Sequence, residues 1–259
     1  MRFVTNKIYF MHIPKTAGSA FNSIFKSAVP VGRYFEHMES HGERFAEIKN
    51  DGEPFYASGH FTFSATEDLI RRPDVFSMTI LRNPVEQLIS HLKWVKAYGN
   101  PEDEARRADL PSDIAQLSQD LWKISLNDVG RLRNTIDRPV ARRLFDNLQV
   151  RYMTSMDDDQ VDDDRVMGAL ENFINFDFIF VLEDMDKAIG YIRKELPSIS
   201  NIKIENKAMI NEDVNLQDRD VLTFYRLAAR HDAKLYTKVR SYSRERFFLN
   251  DCKPMVFGA

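Results

Sequence analysis

The sequence predicts an α/β protein with three layers, in which a central, mainly parallel sheet lies between two layers of helices. Three short apolar segments at 7–13, 55–58 and 75–81 predict buried strands. The first and the third lead directly into segments whose apolar residues recur at helical spacing. Strands that alternate with helices are typical of βαβ units, and βαβ units build parallel sheets.

The helices that follow these strands are indicated by periodicity and by their first residues. After the first strand, apolar residues at 21, 24, 25 and 28 form one helical face, which ends at Pro30 and Gly32. After the third strand, Asn83 is the predicted N-cap and Pro84 occupies the first turn. Further patterns predict helices near 140–148, 166–174, 185–196 and 218–239, and a strand at 176–182.

No repeat and no linker rich in Gly, Pro or Ser divides the chain, so we predict one domain over residues 1–259. Between 97 and 138 the helical pattern weakens, which predicts a variable, partly helical excursion from the core. Residues 240–259 are predicted to form a loosely packed tail.

The composition is that of an ordinary globular protein, and it excludes several classes. A chain that is 43% hydrophobic and 29% charged is neither collagen-like nor wholly disordered. Its 36 Lys and Arg residues nearly balance 39 Asp and Glu residues, and the net charge of −3 argues against a dedicated nucleic-acid binder. The single cysteine, Cys252, excludes an intrachain disulfide, and no apolar run approaches the ~18 residues of a membrane span. We therefore expect a soluble, cytoplasmic protein.

The segment His-Ile-Pro-Lys-Thr-Ala-Gly-Ser-Ala at 12–20 connects the first strand to the first helix. Backbone N–H groups and the helix dipole favour an anion at such a position. Lys15 adds a positive charge, Thr16 and Ser19 add hydroxyls, and Gly18 permits close approach of the backbone. The loop departs from GxxxxGK[ST], because Lys15 precedes the glycine and the loop is too short to wrap a triphosphate. Two interpretations remain open: a phosphate cradle, or a simple turn capped by Ser19.

A second candidate anion contact follows the third strand. Arg82 lies at the carboxyl end of that strand, where open α/β sheets bind ligands, and a guanidinium group holds phosphate well. Ser90 falls on the polar face of the next helix, close to Asn83 and Glu86. The alternative is a surface ion pair for Arg82 and a merely solvated Ser90.

Together these segments resemble the sulfotransferase family, most closely the branch of heparan sulfate 2-O- and chondroitin-type carbohydrate sulfotransferases and their bacterial relatives. Residues 12–19 look like the 5′-phosphosulfate loop of that family, and the segment from Arg82 to Ser90 looks like its 3′-phosphate motif. The segment Ser-Gly-His-Phe-Thr-Phe at 58–63 resembles the one that carries the catalytic base, here His60. Residues 147–152 and 176–179 echo later family segments. The similarity covers about 8–95 and fragments of 140–196.

The resemblance implies a P-loop-like α/β/α core that binds 3′-phosphoadenosine 5′-phosphosulfate (PAPS), releases adenosine 3′,5′-bisphosphate and needs no metal ion. His60 would accept the proton of the acceptor, and Lys15 would stabilise charge on the leaving phosphate oxygen. Arg82 and Ser90 would hold the 3′-phosphate. The 5′ end of the donor would be held by Lys15, Thr16, Ala17, Gly18, Ser19 and Ala20. The acceptor would be a hydroxyl, or an amine, of a small molecule or glycan, and the relatives favour a sugar.

Two other functions are compatible with a nucleotide-binding α/β protein. The first is a small-molecule kinase that uses ATP and Mg²⁺, and the second is a non-catalytic nucleotide-binding scaffold. The position of Lys15 and the lack of a recognisable acidic motif near the loop argue against the kinase. The joint presence of Lys15, His60, Arg82 and Ser90 argues against the scaffold.

Three weaker candidates carry simpler explanations. His37 and His41 share one face if their segment is an α-helix, but Glu39 then projects away, so we expect no metal site there. The acidic residues at 157–159 and 162–164 fit no EF-hand loop and are expected at a helix N-terminus. A basic stretch between 131 and 151 either faces an anionic acceptor such as a polysaccharide or forms a solvated helix surface, which the sequence favours. Arg151 is its candidate for substrate binding.

Overall fold

The computed structural model describes residues 7–157, 160–196, 199 and 210–249. Five strands, all parallel, form one sheet in the order β2-β3-β1-β4-β5, which places the first strand in the middle. This confirms the predicted α/β class. The strands are β1 (Lys7–Met11), β2 (Tyr34–Phe35), β3 (Phe55–Gly59), β4 (Phe76–Leu81) and β5 (Phe178–Val181).

Helices cover both faces of the sheet. In the part of the chain that the structure describes they are α1 (Gly18–Ile24), α2 (Gly42–Lys49), α3 (Phe63–Ile70), α4 (Pro84–Ala97), α5 (Glu104–Arg107), α6 (Ser112–Trp122), α7 (Val129–Ile136), α8 (Pro139–Phe145), α9 (Leu148–Tyr152), α10 (Asp163–Phe173), α11 (Met185–Glu195), α12 (Arg219–Ala228) and α13 (Arg230–Leu249). None of these is long and apolar enough to cross a bilayer.

The strands form because both of their faces are buried. Along β1, Tyr9 and Met11 belong to one apolar cluster, whereas Ile8 and Phe10 belong to another. Successive side chains of a strand point to opposite sides of the sheet, so the two clusters are the two interfaces between sheet and helices. This is why the strands read as continuous apolar runs rather than as alternating ones.

The segment at 97–138, predicted as an excursion from the core, shares an apolar cluster with α4. Leu117 and Leu121 of α6 and Leu132 of α7 are buried against Leu88 and Leu92 of α4. The periodicity in this region is weak because short helices separated by turns carry at most three buried residues each. The prediction of partial helicity is confirmed, and these helices extend the layer that begins with α4.

Two predicted helices are each divided in the structure. The predicted helix at 140–148 is interrupted at Asn147, whose φ of 49° is left-handed, so α8 ends before it and α9 begins after it. The predicted helix at 218–239 is interrupted at Ala229, between α12 and α13. Neither break carries the Gly or Pro that marks a helix end in a sequence.

The predicted loose tail is wrong for its first part. Helix α13 continues to Leu249, Ser243 is buried, and Arg244 donates hydrogen bonds to the carboxylate of Asp184 at 3.0 and 3.5 Å. This contact holds the helix against the segment that follows β5. The remainder of the predicted tail, 250–259, lies outside the described residues.

The acidic residues at 162–164 lie at the N-terminus of α10 as expected, whereas Asp157 forms an ion pair with Arg165 and residues 158 and 159 lie outside the described residues. The Asp162 carboxylate accepts a hydrogen bond from the backbone N–H of Arg165 at 2.9 Å and caps the helix. Elements absent from the sequence prediction are the two-residue strand β2 and the helices α2 and α3. They are short, and their packing rather than their pattern defines them.

Candidate functional site

The carboxyl edge of the sheet brings the two candidate anion-binding segments together. Met11, the last residue of β1, pairs with Gly59 of β3 on one side and with Thr79 of β4 on the other. The segments that follow these three strands therefore leave the sheet side by side. They carry Lys15, His60 and Arg82, and ligands bind at this edge in open parallel sheets.

In the loop after β1, the backbone angle φ alternates in sign from one residue to the next. Lys15 and Ala17 have φ of 67° and 65°, whereas Thr16 and Gly18, on either side of Ala17, have negative φ. Alternation of this kind turns successive N–H groups toward one concave side and forms a nest for an anion. Ala17 is the residue that precedes α1, and no side chain caps the helix. The open alternative, a turn capped by Ser19, is therefore wrong, since Ser19 is exposed and makes no cap.

Thr16 takes a different place from the predicted one. Its side chain is fully buried, and its hydroxyl donates a hydrogen bond to the carbonyl oxygen of Ile13 at 2.8 Å. The hydroxyl thus closes the loop from inside rather than lining it. The backbone of Thr16, together with Lys15 and Ala17, remains part of the nest.

Gly18 is required because the imidazole of His12 occupies the space where a side chain would start. A Cβ at position 18 would lie 1.9 Å from Nε2 of His12, far closer than any van der Waals contact. The His12 ring is buried, stacks on Phe10 at 5.4 Å, and lies 4.3 Å from the His60 ring. His12 therefore joins the loop after β1 to the residue that follows β3.

His60 is held in one orientation by the backbone. Its Nδ1 lies 2.8 Å from the carbonyl oxygen of His12, and only a protonated Nδ1 makes a hydrogen bond to a carbonyl. The neutral ring therefore presents its lone pair on Nε2, which lies 3.9 Å from Oε1 of Glu39. Burial lowers the pKa of His60, and although Glu39 opposes this effect, the ring remains biased toward its neutral form.

Glu39 reaches His60 through two atoms. Its Oε2 accepts the backbone N–H of His60 at 3.0 Å, while its Oε1 faces the imidazoles of His60 and His37. Burial opposes ionisation of this carboxyl, but the hydrogen bonds outweigh burial, and the pKa of Glu39 lies below its usual value. Gly59 makes room for the carboxylate, because a Cβ there would lie 2.9 Å from Oε2.

Two cations meet at the end of β4. Arg82 donates from Nη1 to the carbonyl oxygen of Lys15 at 3.2 Å and from Nη2 to Glu86 at 3.3 Å. Its Nε is buried and meets no hydrogen-bond partner among the described residues. Burial and the nearby Arg82 charge both lower the pKa of Lys15. An anion at this point would relieve the repulsion and supply an acceptor.

The backbone of Arg82 is fixed by a buried amide. Oε1 of Gln149 accepts the Arg82 N–H at 2.9 Å, and Nε2 of Gln149 donates to the Arg82 carbonyl oxygen at 3.0 Å. Gln149 is held in turn by Asp232, which accepts the backbone N–H groups of Gln149 at 3.1 Å and Val150 at 2.8 Å. Burial raises the pKa of Asp232 to about 7, although these two hydrogen bonds favour the ionised form.

Two further predicted site residues, Ser90 and Arg151, lie in different surroundings. Ser90 is half-buried on α4, one turn beyond Glu86, and therefore lies on the helix face that the Arg82 side chain follows. The prediction that Arg151 binds substrate is corrected. Its side chain is completely buried and donates to the backbone and carboxylate of Asp146 and to the carbonyl oxygen of Asp157, so its role is structural.

Sequence reasoning gave no role to His12, Glu39 or Gln149. His12 and Gln149 belong to segments already singled out, but what they contact depends on strands and helices distant in the chain. On an α-helix, Glu39 would project away from the face shared by His37 and His41. The segment 38–40 is instead a short 3₁₀ turn, and the imidazole that joins His37 and Glu39 is that of His60.

Comparison with known proteins adds no relative. No protein-family model matches this sequence. No curated protein matches it significantly. The function is therefore inferred from the sequence motifs and from the geometry at the carboxyl edge of the sheet.

Proposed function

We propose that this protein is a PAPS-dependent sulfotransferase whose site is the carboxyl edge of β1, β3 and β4. The observation that carries the proposal is the half-buried pair of cations, Lys15 and Arg82, beside a loop in which φ alternates in sign. A nest and two adjacent cations fit a ligand that carries more than one anionic group. PAPS carries a phosphosulfate at its 5′ end and a phosphate at its 3′ position.

The 5′ end of the donor fits the loop, where the N–H groups of residues 15–20 surround the phosphate and Lys15 faces its oxygens. The 3′-phosphate fits Arg82, whose buried Nε meets no acceptor in the described part of the chain and whose guanidinium presents several donors in one plane. Ser90 on the same face of α4 adds a hydroxyl. Glu86 would give up part of its contact with Arg82 when the phosphate binds.

In the transfer step the acceptor oxygen attacks sulfur while the bond between sulfur and the bridging phosphate oxygen breaks. Negative charge grows on that phosphate oxygen, and Lys15 stabilises it as it forms. The proton of the acceptor hydroxyl passes to Nε2 of His60, since Nδ1 is already committed to the His12 carbonyl oxygen. The products are the sulfated acceptor, adenosine 3′,5′-bisphosphate and a protonated His60.

Two observations favour this chemistry over a kinase. A nucleotide kinase places Mg²⁺ on a loop hydroxyl and on an acidic side chain at the end of a strand. Here the Thr16 hydroxyl donates to the carbonyl oxygen of Ile13, and the residues that follow β4 are Arg82 and Asn83 rather than a carboxylate. Of the carboxylates described at this edge, Glu86 pairs with Arg82, and Glu183 accepts from Asn83 and Tyr236. Glu39 accepts the backbone N–H of His60 and turns its other oxygen toward the rings of His37 and His60.

The test is sulfate transfer from PAPS to a panel of sugars, glycans and amines, with adenosine 3′,5′-bisphosphate binding measured alongside. The substitution His60→Ala should lower turnover by roughly 10²–10⁴-fold and leave bisphosphate affinity intact. His41→Ala is the matched control, since that histidine is exposed and caps no helix. Full turnover in His60→Ala would remove the assignment of the base. Bisphosphate binding without transfer to any acceptor would favour a non-catalytic scaffold.

A further inference from the structure

Beside the proposed sulfotransferase site lies a cluster of metal-ligating side chains that the reaction does not use in full. His37, Glu39 and His60 each offer one ligand atom, and these atoms lie within 4.8 Å of one another. The residues come from two segments, one after β2 and one after β3, which are neighbouring strands of the sheet. The cluster is therefore a product of the fold rather than of a sequence motif.

The distances approach those of a metal centre. The separation between Nδ1 of His37 and Oε1 of Glu39 is 3.3 Å, and that between Nε2 of His60 and the same oxygen is 3.9 Å. Ligand atoms about 2.0–2.2 Å from a tetrahedral Zn²⁺ lie roughly 3.3–3.5 Å from each other. The ligand atoms of the two imidazoles lie within 4.8 Å of each other, so the His60 ring must move toward Glu39 and the two rings must draw together to share one ion.

The surrounding contacts orient the ligands as outer-shell partners do in metal sites. The His12 carbonyl oxygen holds Nδ1 of His60 and leaves Nε2 as the nitrogen that can donate to a metal. The backbone N–H of His60 holds Oε2 of Glu39 and leaves Oε1 facing both rings. His37 has a left-handed backbone with φ of 56°, and its ring lies beside Glu39.

The chemistry of the donors selects the class of ion. Imidazole is a borderline ligand, and two imidazoles with one carboxylate form a donor set that suits Zn²⁺ and its transition-metal neighbours, whereas Mg²⁺ prefers oxygen ligands alone and retains its water. The His37 side chain is 54% exposed, so an ion reaches the cluster from solvent and keeps an open coordination position.

We propose that His37, Glu39 and His60 form a binding site for a divalent transition-metal ion of the Zn²⁺ type. An ion bound there takes the lone pair of Nε2 of His60. If the proposed sulfotransferase reaction is correct, this is the atom that accepts the proton of the acceptor. Occupation of the site by Zn²⁺ therefore switches transfer off.

Binding is measured first, without reference to activity, by competition between chelator-treated protein and a chromophoric zinc chelator. We expect one Zn²⁺ per chain, with affinity reduced on the order of 100-fold or more in His37→Ala, since loss of even an outer-shell partner costs 10–100-fold. His41→Ala, four residues away, should bind as the wild type does. Equal affinity in wild type and His37→Ala, or no stoichiometric binding, would overturn the site.

Activity then separates this inference from the proposed reaction. Zn²⁺ should inhibit transfer by the wild type and by His41→Ala, and His37→Ala should retain transfer while losing the inhibition. If zinc binds with the expected dependence on His37 but transfer persists in its presence, the metal site stands and the role of His60 as base is overturned.

Discussion

The close packing of Gly18 against His12 gives the sharpest structural prediction. In Gly18→Ala the new Cβ would lie 1.9, 2.1 and 2.3 Å from Nε2, Cδ2 and Cε1 of His12. A normal contact is about 3.5 Å, so the ring must move by roughly 1.5 Å. It has little room, because Phe10 and His60 lie against it. We expect a loss of stability of about 1–3 kcal/mol, which lowers Tm by roughly 2–12 °C.

The matched control is Gly190→Ala in α11, where a Cβ meets nothing within 4 Å. The same substitution there should stabilise the protein by about 0.5–1 kcal/mol, since glycine is unfavourable inside a helix. Urea unfolding measures both variants. A further variant combines Gly18→Ala with His12→Ala, which removes the ring and should recover at least about 1 kcal/mol relative to additivity. Additive losses, or a Gly18→Ala protein as stable as the wild type, would refute this packing.

Three further predictions concern the residues around the loop. Lys15→Met should lower the rate of sulfate transfer by roughly 10²–10³-fold in single-turnover assays with donor at saturation, because charge on the leaving oxygen loses its partner. Gln149→Leu leaves the N–H and carbonyl of Arg82 unpaired at about 1–3 kcal/mol each, which urea unfolding should detect, and bisphosphate titration should show weaker binding. Burial raises the pKa of Asp232 from 3.8 to about 7, so the folded state keeps a proton that the unfolded chain releases. Wild-type stability should therefore fall, relative to Asp232→Asn, by up to about 1.4 kcal/mol per unit as pH rises from about 4.5 to 6.5, and parallel profiles would contradict this.

Four of the five strands described were predictable because they are buried on both faces, whereas the two half-buried residues of β2 carry no such signal. Residues such as Ile8, Phe10 and Ile80 read as apolar runs whatever their neighbours are, and the N-cap at Asn83 depends only on local hydrogen bonds to Val85 and Glu86. The same locality explains the correct prediction that acidic residues lie at the N-terminus of α10. Patterns of this kind can be recognised in the sequence without knowledge of the tertiary structure.

The contacts that shape the site were not predictable in this way. Gln149 reaches Arg82 across 67 positions, and Asp232 reaches Gln149 across 83. Each of these side chains pairs with backbone groups that have no partner close in the sequence, and no local pattern indicates such a contact. Arg151 shows the converse: a basic side chain beside family-like residues suggested a substrate contact, but its burial against Asp146 depends on the turn at Asn147.

The central claim is that this strand edge binds a nucleotide with phosphates at the 3′ and 5′ positions. Thermal unfolding in adenosine 3′,5′-bisphosphate tests it most directly, with Mg·ATP as the comparison. At about 100 times its Kd the bisphosphate should add about 2.7 kcal/mol of stability, or roughly 5–11 °C in Tm, and Arg82→Ala should lose most of this shift. Stabilisation by Mg·ATP alone, or a shift from the bisphosphate that persists unchanged in Arg82→Ala, would contradict the claim.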